Sequence, residues 1–343
     1  LLRMALATEK PDLLFIFTDP RFFFWLFEME DEIRQICPIV YWHVWDNAPY
    51  PNFNEPFYEA CDLINCHSHH TYSQLKDKFP RKTNFVPHAL PETVFFPIHP
   101  SEKLKRKSEI LGPDRADHFV LFWMNRNARR KRPNDLLLSF KNFLDKLKKE
   151  HGHTKASLLM HTDPNDPEGP NLFAVTEMLG IKDNVVFSNQ RVDFQTINLL
   201  HNISDVCINI SYAEGFGLST LEAMQVGNPI IAPKTGGQTR QVVNAYTQEE
   251  NGVALPIRMQ TLVGSQSVPY IFEDMVHNDD ITDAMMKMYE LGPEARKQLG
   301  QKARDYALSE FGYQKVVDLW NETMIKTIME FKYNKKNFTV TEL

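Results

Sequence analysis

The stretch Ser211-Tyr-Ala-Glu-Gly-Phe-Gly-Leu-Ser-Thr-Leu-Glu-Ala-Met224 decides which fold this chain is expected to adopt. The apolar run from Asp205 to Ser211 leads into it and predicts a buried strand. Leu218 to Val226 then predicts a helix, which Gly227 ends in the left-handed conformation. A strand that passes through glycines into a helix leaves backbone N–H groups unpaired at the positive end of the helix dipole. That geometry binds phosphate.

Two glutamates in this stretch, Glu214 and Glu222, are separated by seven residues. Glu222 is expected about one turn inside the helix, where a carboxylate can accept hydrogen bonds from a ribose diol. Glu214 is expected ahead of the helix, at the mouth of the site. Each feature also has a simpler interpretation, because a first-turn glutamate often only stabilises the helix dipole and Gly-x-Gly is often only a tight turn. Together they favour a nucleoside-diphosphate site.

A second segment carries the complementary charge. Phe119 to Met124 predicts a buried strand, and Pro133 is placed to begin the following helix. The turn between them is basic, with Arg126, Arg129, Arg130, Lys131 and Arg132. Open α/β sheets bind ligands at such strand-to-helix turns. A solvated run of charge is the alternative. Nucleic-acid binding is disfavoured, because 38 Lys+Arg against 44 Asp+Glu give a net charge of −6 and no other basic patch extends the cluster.

With both segments in place, the chain resembles the retaining glycosyltransferases of family 4, α/β proteins of the GT-B type with two facing Rossmann-like domains built on parallel sheets. The family pairs an Arg and a Lys five residues later with a Glu-x7-Glu motif. Arg126 and Lys131 match the first pattern, and Glu214 and Glu222 match the second. Two further segments, Gly227 to Gly237 and Asn251 to Pro256, also resemble family segments.

The first half of the chain carries weaker matches. Val40 to Asp46 resembles the strand whose histidine, here His43, reaches the donor sugar, and Asn84 to Pro97 resembles the segment that leads into the interdomain linker. The chain begins in what reads as the last turns of a helix, Leu1 to Thr8, where complete members have a strand and a Gly-rich loop. We therefore expect an incomplete first domain with about four parallel strands and an exposed sheet edge.

Two single positions depart from the family pattern. Asn125 stands where the family usually has Gly, so the backbone there is expected to lie farther from the diphosphate. Arg240 stands three residues after Gly237, where the family tends to have Glu.

The resemblance implies transfer of a sugar from a nucleotide-diphosphate sugar to an unknown acceptor with retention of anomeric configuration. The implied catalytic residues are Glu214, Arg126, Lys131 and His43. The implied donor-binding residues are Glu222, Gly215, Phe216, Gly217, Leu218 and Ser219. No metal and no cofactor are expected, because Arg126 and Lys131 supply the positive charge that Mg²⁺ provides elsewhere. The alternatives are a non-catalytic nucleotide-sugar or glycan-binding module of the same fold, and a GT-B epimerase or phosphorylase.

Composition agrees with two globular domains, since 343 residues with 43% apolar and 12% aromatic content suffice for two cores. No apolar run approaches the roughly 18 residues of a membrane span, and no signal peptide is visible. The cysteines are expected to be buried thiols, which favours a cytoplasmic location. The expected partners are the donor and a glycan, lipid-linked or small-molecule acceptor, without nucleic acid. Peripheral membrane association and the oligomeric state stay open.

The alternation of strands and helices places an N-terminal, acceptor-side domain at 1–97 and a nucleotide-sugar-binding domain at 98–312. Residues 313–343 are expected to form a helix that crosses back to the first domain, followed by a polar tail. One helix is predicted near 21–35. Metal binding is a minor alternative, carried by Cys61, Cys66, His67, His69 and His70. The Cys-x4-Cys spacing does not match a structural zinc pair.

Overall fold

The computed structural model describes residues 1–334, so part of the expected polar tail lies outside the described residues. The chain forms two compact units. The first comprises Leu1–His88, Leu262–Phe272 and the chain from Gln314 onward, and the second comprises Ala89–Thr261 and Glu273–Tyr313. The domain limits expected from the sequence, 1–97, 98–312 and 313–343, stay a prediction.

The first unit is built on a four-stranded parallel sheet in which the strands follow chain order. Its strands are β1 (Leu14–Thr18), β2 (Ile39–His43), β3 (Leu63–Cys66) and β4 (Thr83–Phe85). Its helices before residue 88 are α1 (Leu2–Glu9), α2 (Phe24–Phe27), α3 (Glu30–Arg34), α4 (Glu55–Ala60) and α5 (His69–Leu75). Alternate residues of β2, Ile39 and Tyr41, point into the core on one face of this sheet.

The single helix expected near 21–35 is wrong. A short 3-10 helix, Pro20–Phe23, comes first, capped by the Asp19 carboxylate, which accepts from the N–H of Arg21. The backbone then leaves helical geometry at Phe23 and again at Met29, so α2 and α3 are separate.

The second unit contains a six-stranded parallel sheet with the strand order β10-β9-β8-β5-β6-β7. Its strands are β5 (Phe119–Met124), β6 (Ala156–His161), β7 (Val185–Ser188), β8 (Val206–Ile208), β9 (Ile230–Pro233) and β10 (Gly252–Leu255). Its helices are α6 (Pro100–Leu111), α7 (Pro133–His151), α8 (Leu172–Met178), α9 (Phe194–Ile203), α10 (Leu218–Gln225), α11 (Thr239–Val242), α12 (Asn278–Glu290) and α13 (Gly292–Glu310). Because β5 and β8 are adjacent and parallel, the turns that follow them meet at one edge of the sheet.

The core of the second unit follows the apolar pattern of its helices. One face of α7 is buried against the sheet through Leu136, Leu137, Phe140, Phe143, Leu144 and Leu147. Each such side chain contributes about 1.5–3 kcal/mol by leaving water.

A two-stranded sheet of β11 (Met259–Val263) and β12 (Ile271–Met275) was not predicted. Apolar and polar residues do not alternate along either strand, because Leu262–Val263 and Ile271–Phe272 are adjacent apolar pairs, so the period-2 signal of a strand is absent there. The boundary between the two units passes through this hairpin.

The last described helix, α14 (Tyr313–Asn334), belongs to the first unit from Gln314 onward. The ring centroid of its Trp320 lies 5.4 Å from that of Phe15 and 5.3 Å from that of Trp42. The side-chain amide of Asn65 donates to the hydroxyl of Thr323 at 3.0 Å. These contacts cover part of one face of the four-stranded sheet.

We expect Gly300→Ala to destabilise the protein, although alanine favours helix by about 1 kcal/mol. Gly300 lies in α13, and an added Cβ would come within 1.9 Å of the backbone oxygen of Gly227, which follows α10. Relief of such a clash requires the two helices to separate, which costs about 1–3 kcal/mol. Chemical denaturation measures the free energy of unfolding. Lys302→Ala, at an exposed position of the same helix, is the control, and equal stability of the two variants would contradict the prediction.

Candidate active site

The turn after β8 is shaped by its own polar side chains. The Asn209 carboxamide oxygen accepts from the backbone N–H of Ser211 at 3.0 Å and from its hydroxyl at 2.6 Å, which bends the chain where the strand ends. Gly217 follows with φ 91°, and a Cβ there would lie 2.6 Å from the hydroxyl oxygen of Thr220. Only glycine fits this position, and α10 begins at the next residue.

The N-terminus of α10 offers hydrogen-bond donors. The backbone N–H groups of Leu218 and Ser219 lie in its first turn, where no intrahelical acceptor exists. The side chain of Gln238 is buried beside Gly217, and its two polar atoms have no hydrogen-bond partner within residues 1–334. The positive end of the helix and these amides form an anion-binding arrangement.

We call residues 214–217 the Glu214 loop and residues 236–242 the supporting turn. The backbone N–H of Gly237 donates to the Glu214 carbonyl at 2.9 Å, and an added Cβ on Gly237 would come within 2.2 Å of the Gly215 oxygen. The Gln241 amide donates to the Phe216 carbonyl at 2.7 Å and accepts from the Thr220 hydroxyl. The supporting turn therefore holds the Glu214 loop by direct backbone contact.

The basic turn after β5 contacts the turn that follows β8. Its Lys131 ammonium contacts a carboxylate oxygen of Glu214, and only 8% and 14% of the two side chains are exposed. The N–H of Tyr212 donates to the Arg130 carbonyl at 2.9 Å, and the Arg130 guanidinium donates to the Ala213 carbonyl at 3.3 Å. The two turns are thus joined by an ion pair and by backbone hydrogen bonds.

This environment determines the charge of Glu214. Burial acts to raise the pKa of its carboxyl group, but the attraction and hydrogen bond of Lys131, helped by Arg130 and Ser211, leave the pKa below its ordinary value. Glu214 is therefore a carboxylate at neutral pH.

Arg126 is not held with this pair. Its guanidinium donates to both carboxylate oxygens of Asp166, at 2.7 and 3.2 Å, and lies 3.0 Å from an oxygen of Glu168. The Arg126 side chain is 57% exposed. Its hydrogen bond lowers the pKa of Asp166. The structure therefore brings together Lys131 and Glu214, and it places Arg126 with two other carboxylates.

Glu222 lies on α10 and is nearly buried. Its carboxylate accepts at 3.0 Å from Nε2 of His201, a fully buried residue of α9 whose ring packs edge-on against Phe122. His161, at the end of β6, interacts electrostatically with the same two groups. Its pKa is lowered, chiefly by burial; His201 adds to this shift and Glu222 opposes it. Sequence reasoning missed His201. A signal existed, since this polar residue follows Ile197 and Leu200 on the buried face of an amphipathic helix.

The other residues of the Glu214 loop and the start of α10 differ in exposure. The Phe216 ring is buried and packs edge-on against Phe311, with centroids 5.4 Å apart. Ser219 is mostly buried, whereas Leu218 is exposed. Phe216 can therefore contribute to binding through its backbone, and Leu218 through its side chain.

His43 lies in the first unit, at the end of β2. It is fully buried, and its Nδ1 and Nε2 lie 2.9 and 2.8 Å from the hydroxyl oxygens of Tyr41 and Tyr58. Burial lowers the pKa of His43, and His67 adds to the effect. Its expected contact with a donor sugar stays a prediction.

Potential metal ligands come together at the protein surface. Within residues 1–334, one group of three or more carboxylate, imidazole or thiol groups lies close enough to share an ion: Glu150, His151 and Glu290, all exposed. Cys61 and Cys66 are buried, and burial raises the pKa of both thiols. The minor alternative of a Cys/His cluster gains no support from this geometry.

The two-unit parallel α/β architecture, with an anion-binding helix N-terminus at the edge of the second sheet, is that of the GT-B fold. Residues 105–306, more than half of the chain, match the family model described as "Glycosyl transferases group 1". The chain therefore belongs to the group 1 glycosyltransferase family. Arg126, Lys131, Glu214 and Glu222 all lie within the matched region.

Individual relatives are more distant. The chain is 21% identical to the N-acetyl-alpha-D-glucosaminyl L-malate synthase of Bacillus anthracis, over 81% of this chain and 63% of the relative. It is 25% identical to the D-inositol 3-phosphate glycosyltransferase of Paenarthrobacter aurescens, over 64% of this chain and 47% of the relative. The chain thus spans between about half and two thirds of the length of these two relatives.

Solved structures confirm the expected fold. Sucrose-phosphate synthase from Thermosynechococcus elongatus is 17% identical with a TM-score of 0.73, over 96% of this chain and 77% of that one. HepE from Anabaena, solved with UDP and glucose, is 16% identical with a TM-score of 0.70, over 95% of this chain and 81% of that one. Among residues 1–334, none of the helices has the length and apolar character needed to cross a bilayer.

We expect Glu214→Gln to reduce the loss of stability in acid. A carboxylate whose pKa is lowered in the folded state stabilises the protein above its unfolded pKa, about 4.3, and that contribution disappears as the pH falls through the folded pKa. Urea denaturation between about pH 3 and pH 7 measures the effect. Glu177→Gln, at an exposed position, is the control. An identical acid dependence in both variants would show that the pKa of Glu214 is unshifted.

Proposed function

We propose that this protein is a retaining glycosyltransferase that uses a nucleotide-diphosphate sugar donor. The contact between Lys131 and Glu214 at the N-terminus of α10 carries the proposal, because it places a cation, a carboxylate and free helix donors at one point of the sheet edge. The family membership supports the reaction class. A nucleotide-sugar or glycan-binding module without turnover is the competing possibility.

In the proposed mechanism, positive charge stabilises the leaving diphosphate. Lys131 and the N–H groups that begin α10 contact the phosphates and stabilise the negative charge that grows on the leaving oxygen. Arg126 adds a second cation after exchanging Asp166 and Glu168 for phosphate oxygens. Its exposed side chain makes such an exchange inexpensive, since exposed ion pairs contribute little stability. The cationic groups remove the need for a divalent metal.

Glu214 is proposed to orient the donor sugar. As a carboxylate it accepts hydrogen bonds from sugar hydroxyls and stabilises positive charge on the anomeric carbon. When the diphosphate binds Lys131, the ion pair between Lys131 and Glu214 weakens, which frees the carboxylate for the sugar. A contact of His43 with the sugar, which the family resemblance implies, is also part of the proposal. The acceptor hydroxyl oxygen then bonds to the anomeric carbon on the face from which the diphosphate leaves, and its proton passes to the departing phosphate oxygen, so the configuration is retained.

Glu222 is proposed to bind the ribose hydroxyls. His201 donates to one carboxylate oxygen and thereby fixes the side-chain direction, leaving the other oxygen for the diol. The Anabaena structure contains UDP, and the two relatives are named for L-malate and inositol phosphate. We therefore propose a uridine diphosphate sugar as the first donor to test, and small hydroxylated molecules together with glycan and lipid-linked acceptors as acceptor candidates.

A panel of nucleotide sugars tests the function. We expect one donor to stabilise the protein in a thermal-shift assay, by about 2.7 kcal/mol at 100 times its dissociation constant. An NMR spectrum of the product should show the anomeric configuration of the donor, and EDTA should leave the rate unchanged. Inversion would exclude the proposed mechanism. Loss of activity in EDTA with recovery in Mg²⁺ would exclude the proposed role of the cations, and binding without turnover would favour the competing module.

The two glutamates should separate binding from chemistry. Glu222→Gln should weaken nucleoside-diphosphate binding by roughly 1.5–3 kcal/mol, the contribution of a charged hydrogen bond. His201→Phe should give a similar loss, and the double variant should lose no more, because both residues act through one carboxylate. Isothermal calorimetry with the nucleoside diphosphate measures these affinities.

Glu214→Gln is the counterpart in the same experiment. It should change nucleoside-diphosphate affinity little and reduce single-turnover transfer about 100-fold or more, because its contact strengthens only as the anomeric carbon gains charge. Equal losses of affinity for the Glu214 and Glu222 variants would show that Glu214 is misassigned. Unchanged binding in both would make the motif structural.

A further inference from the structure

Arg240 occupies a position that the sequence comparison singled out, three residues after Gly237 in the supporting turn. It lies in α11, the short helix that also contains Gln241. Gln241 binds the Phe216 carbonyl and the Thr220 hydroxyl, so any shift of α11 is transmitted to the Glu214 loop. Contacts that fix the position of α11 therefore affect the candidate active site.

Arg240 is tied to the end of α13. Its Nε donates at 2.6 Å to one carboxylate oxygen of Glu310, whose side chain is only 2% exposed. The Tyr246 hydroxyl donates to the other oxygen at 2.6 Å, and the Tyr306 hydroxyl donates to the Arg240 carbonyl at 2.8 Å. Glu310 is thus a buried carboxylate with both oxygens bonded, and it has the charge that Arg240 requires.

The residue after Glu310 completes a second connection to the same loop. Phe311 is almost fully buried and packs edge-on against Phe216, which lies between Gly215 and Gly217. The end of α13 therefore reaches the Glu214 loop along two routes. One runs through Arg240 and Gln241 to the Phe216 backbone, and the other runs through Phe311 to the Phe216 ring.

We propose that the Arg240–Glu310 ion pair is a positioning element for the Glu214 loop and sets the orientation of the backbone donors that bind the donor diphosphate. Arg240 and Glu310 are connected to the Glu214 loop through Gln241 and Phe311. The inference rests on the proposed function for its effect on catalysis, but the effect on the loop can be measured without turnover. The Arg240 guanidinium and the Glu310 carboxylate compensate each other's charge, so the two positions are expected to act as one unit.

Charge-removing variants test the proposal: Arg240→Gln, Glu310→Gln and the double variant. Hydrogen exchange of the backbone amides from Tyr212 to Thr220 should accelerate several-fold in each single variant and no further in the double variant. Arg240→Lys, which keeps the charge, should restore most of the protection. Arg258→Gln is the matched control, because it breaks another Arg–carboxylate pair of the second unit, with Asp280, and should leave this exchange unchanged.

Kinetics should separate positioning from general stability. We expect donor KM and the nucleoside-diphosphate dissociation constant to rise about tenfold in Arg240→Gln, since misplaced binding groups lose much of their effect, while acceptor KM stays constant. Tyr246→Phe, at an exposed position, removes one hydrogen bond from Glu310 and serves if the Glu310 variant does not fold. It should give a smaller shift in the same direction.

The outcomes distinguish failure of the positioning role from failure of the proposed function. Unchanged exchange of the Tyr212–Thr220 amides in Arg240→Gln, or a response equal to that of Arg258→Gln, would overturn the positioning role. Equal rises in donor and acceptor KM would also overturn it. A wild-type protein without transferase activity would overturn the proposed function, and the exchange and binding results would still decide whether the pair positions the loop.

Discussion

The site depends on the adjacency of two parallel strands, β5 and β8. Their carboxyl ends lie at the same sheet edge, so the basic turn that follows one and the acidic, glycine-rich turn that follows the other come into contact. Lys131 and Glu214 form an ion pair at this contact, and both side chains are largely buried. Removing one partner would leave an uncompensated buried charge, which costs about 3–5 kcal/mol. Sheet order therefore brings opposite charges together at this edge.

Lys131 and Arg126 differ in burial and in how tightly they are held. Lys131 is fixed by burial and by Glu214, whereas Arg126 is exposed and held by carboxylates that water can replace. Below Glu214, the backbone of the supporting turn lies so close to Gly215 that no side chain fits between them. In the proposed site, a diphosphate would meet backbone donors held by the supporting turn and an exposed arginine at the rim.

The elements predicted from the sequence are those whose residue pattern has a direct physical cause. Apolar runs predicted the strands of both parallel sheets, because a buried strand requires apolar side chains. Glycines between strand and helix predicted the turn at Gly217, because a left-handed backbone favours glycine. Lys131 and Glu214 were assigned to one site through two separate motifs, and the structure brings these two residues into contact. The binding partners of Arg126 and the partnership of Glu222 with His201 were not predicted, since they depend on distant segments that only the tertiary fold brings close. The hairpin of β11 and β12 was missed because apolar and polar residues do not alternate along its strands.

The composition of the first unit has a consequence for biosynthesis. Its sheet is encoded within the first 88 residues, but the segment 262–272 and the helix that carries Trp320 are encoded far downstream. A nascent chain therefore presents Phe15 and Trp42 without Trp320 until synthesis has passed through the helix that carries it. At about 5–20 residues per second this interval lasts tens of seconds. Transiently exposed aromatic surface favours aggregation, so the first unit is most vulnerable before α14 has been synthesised.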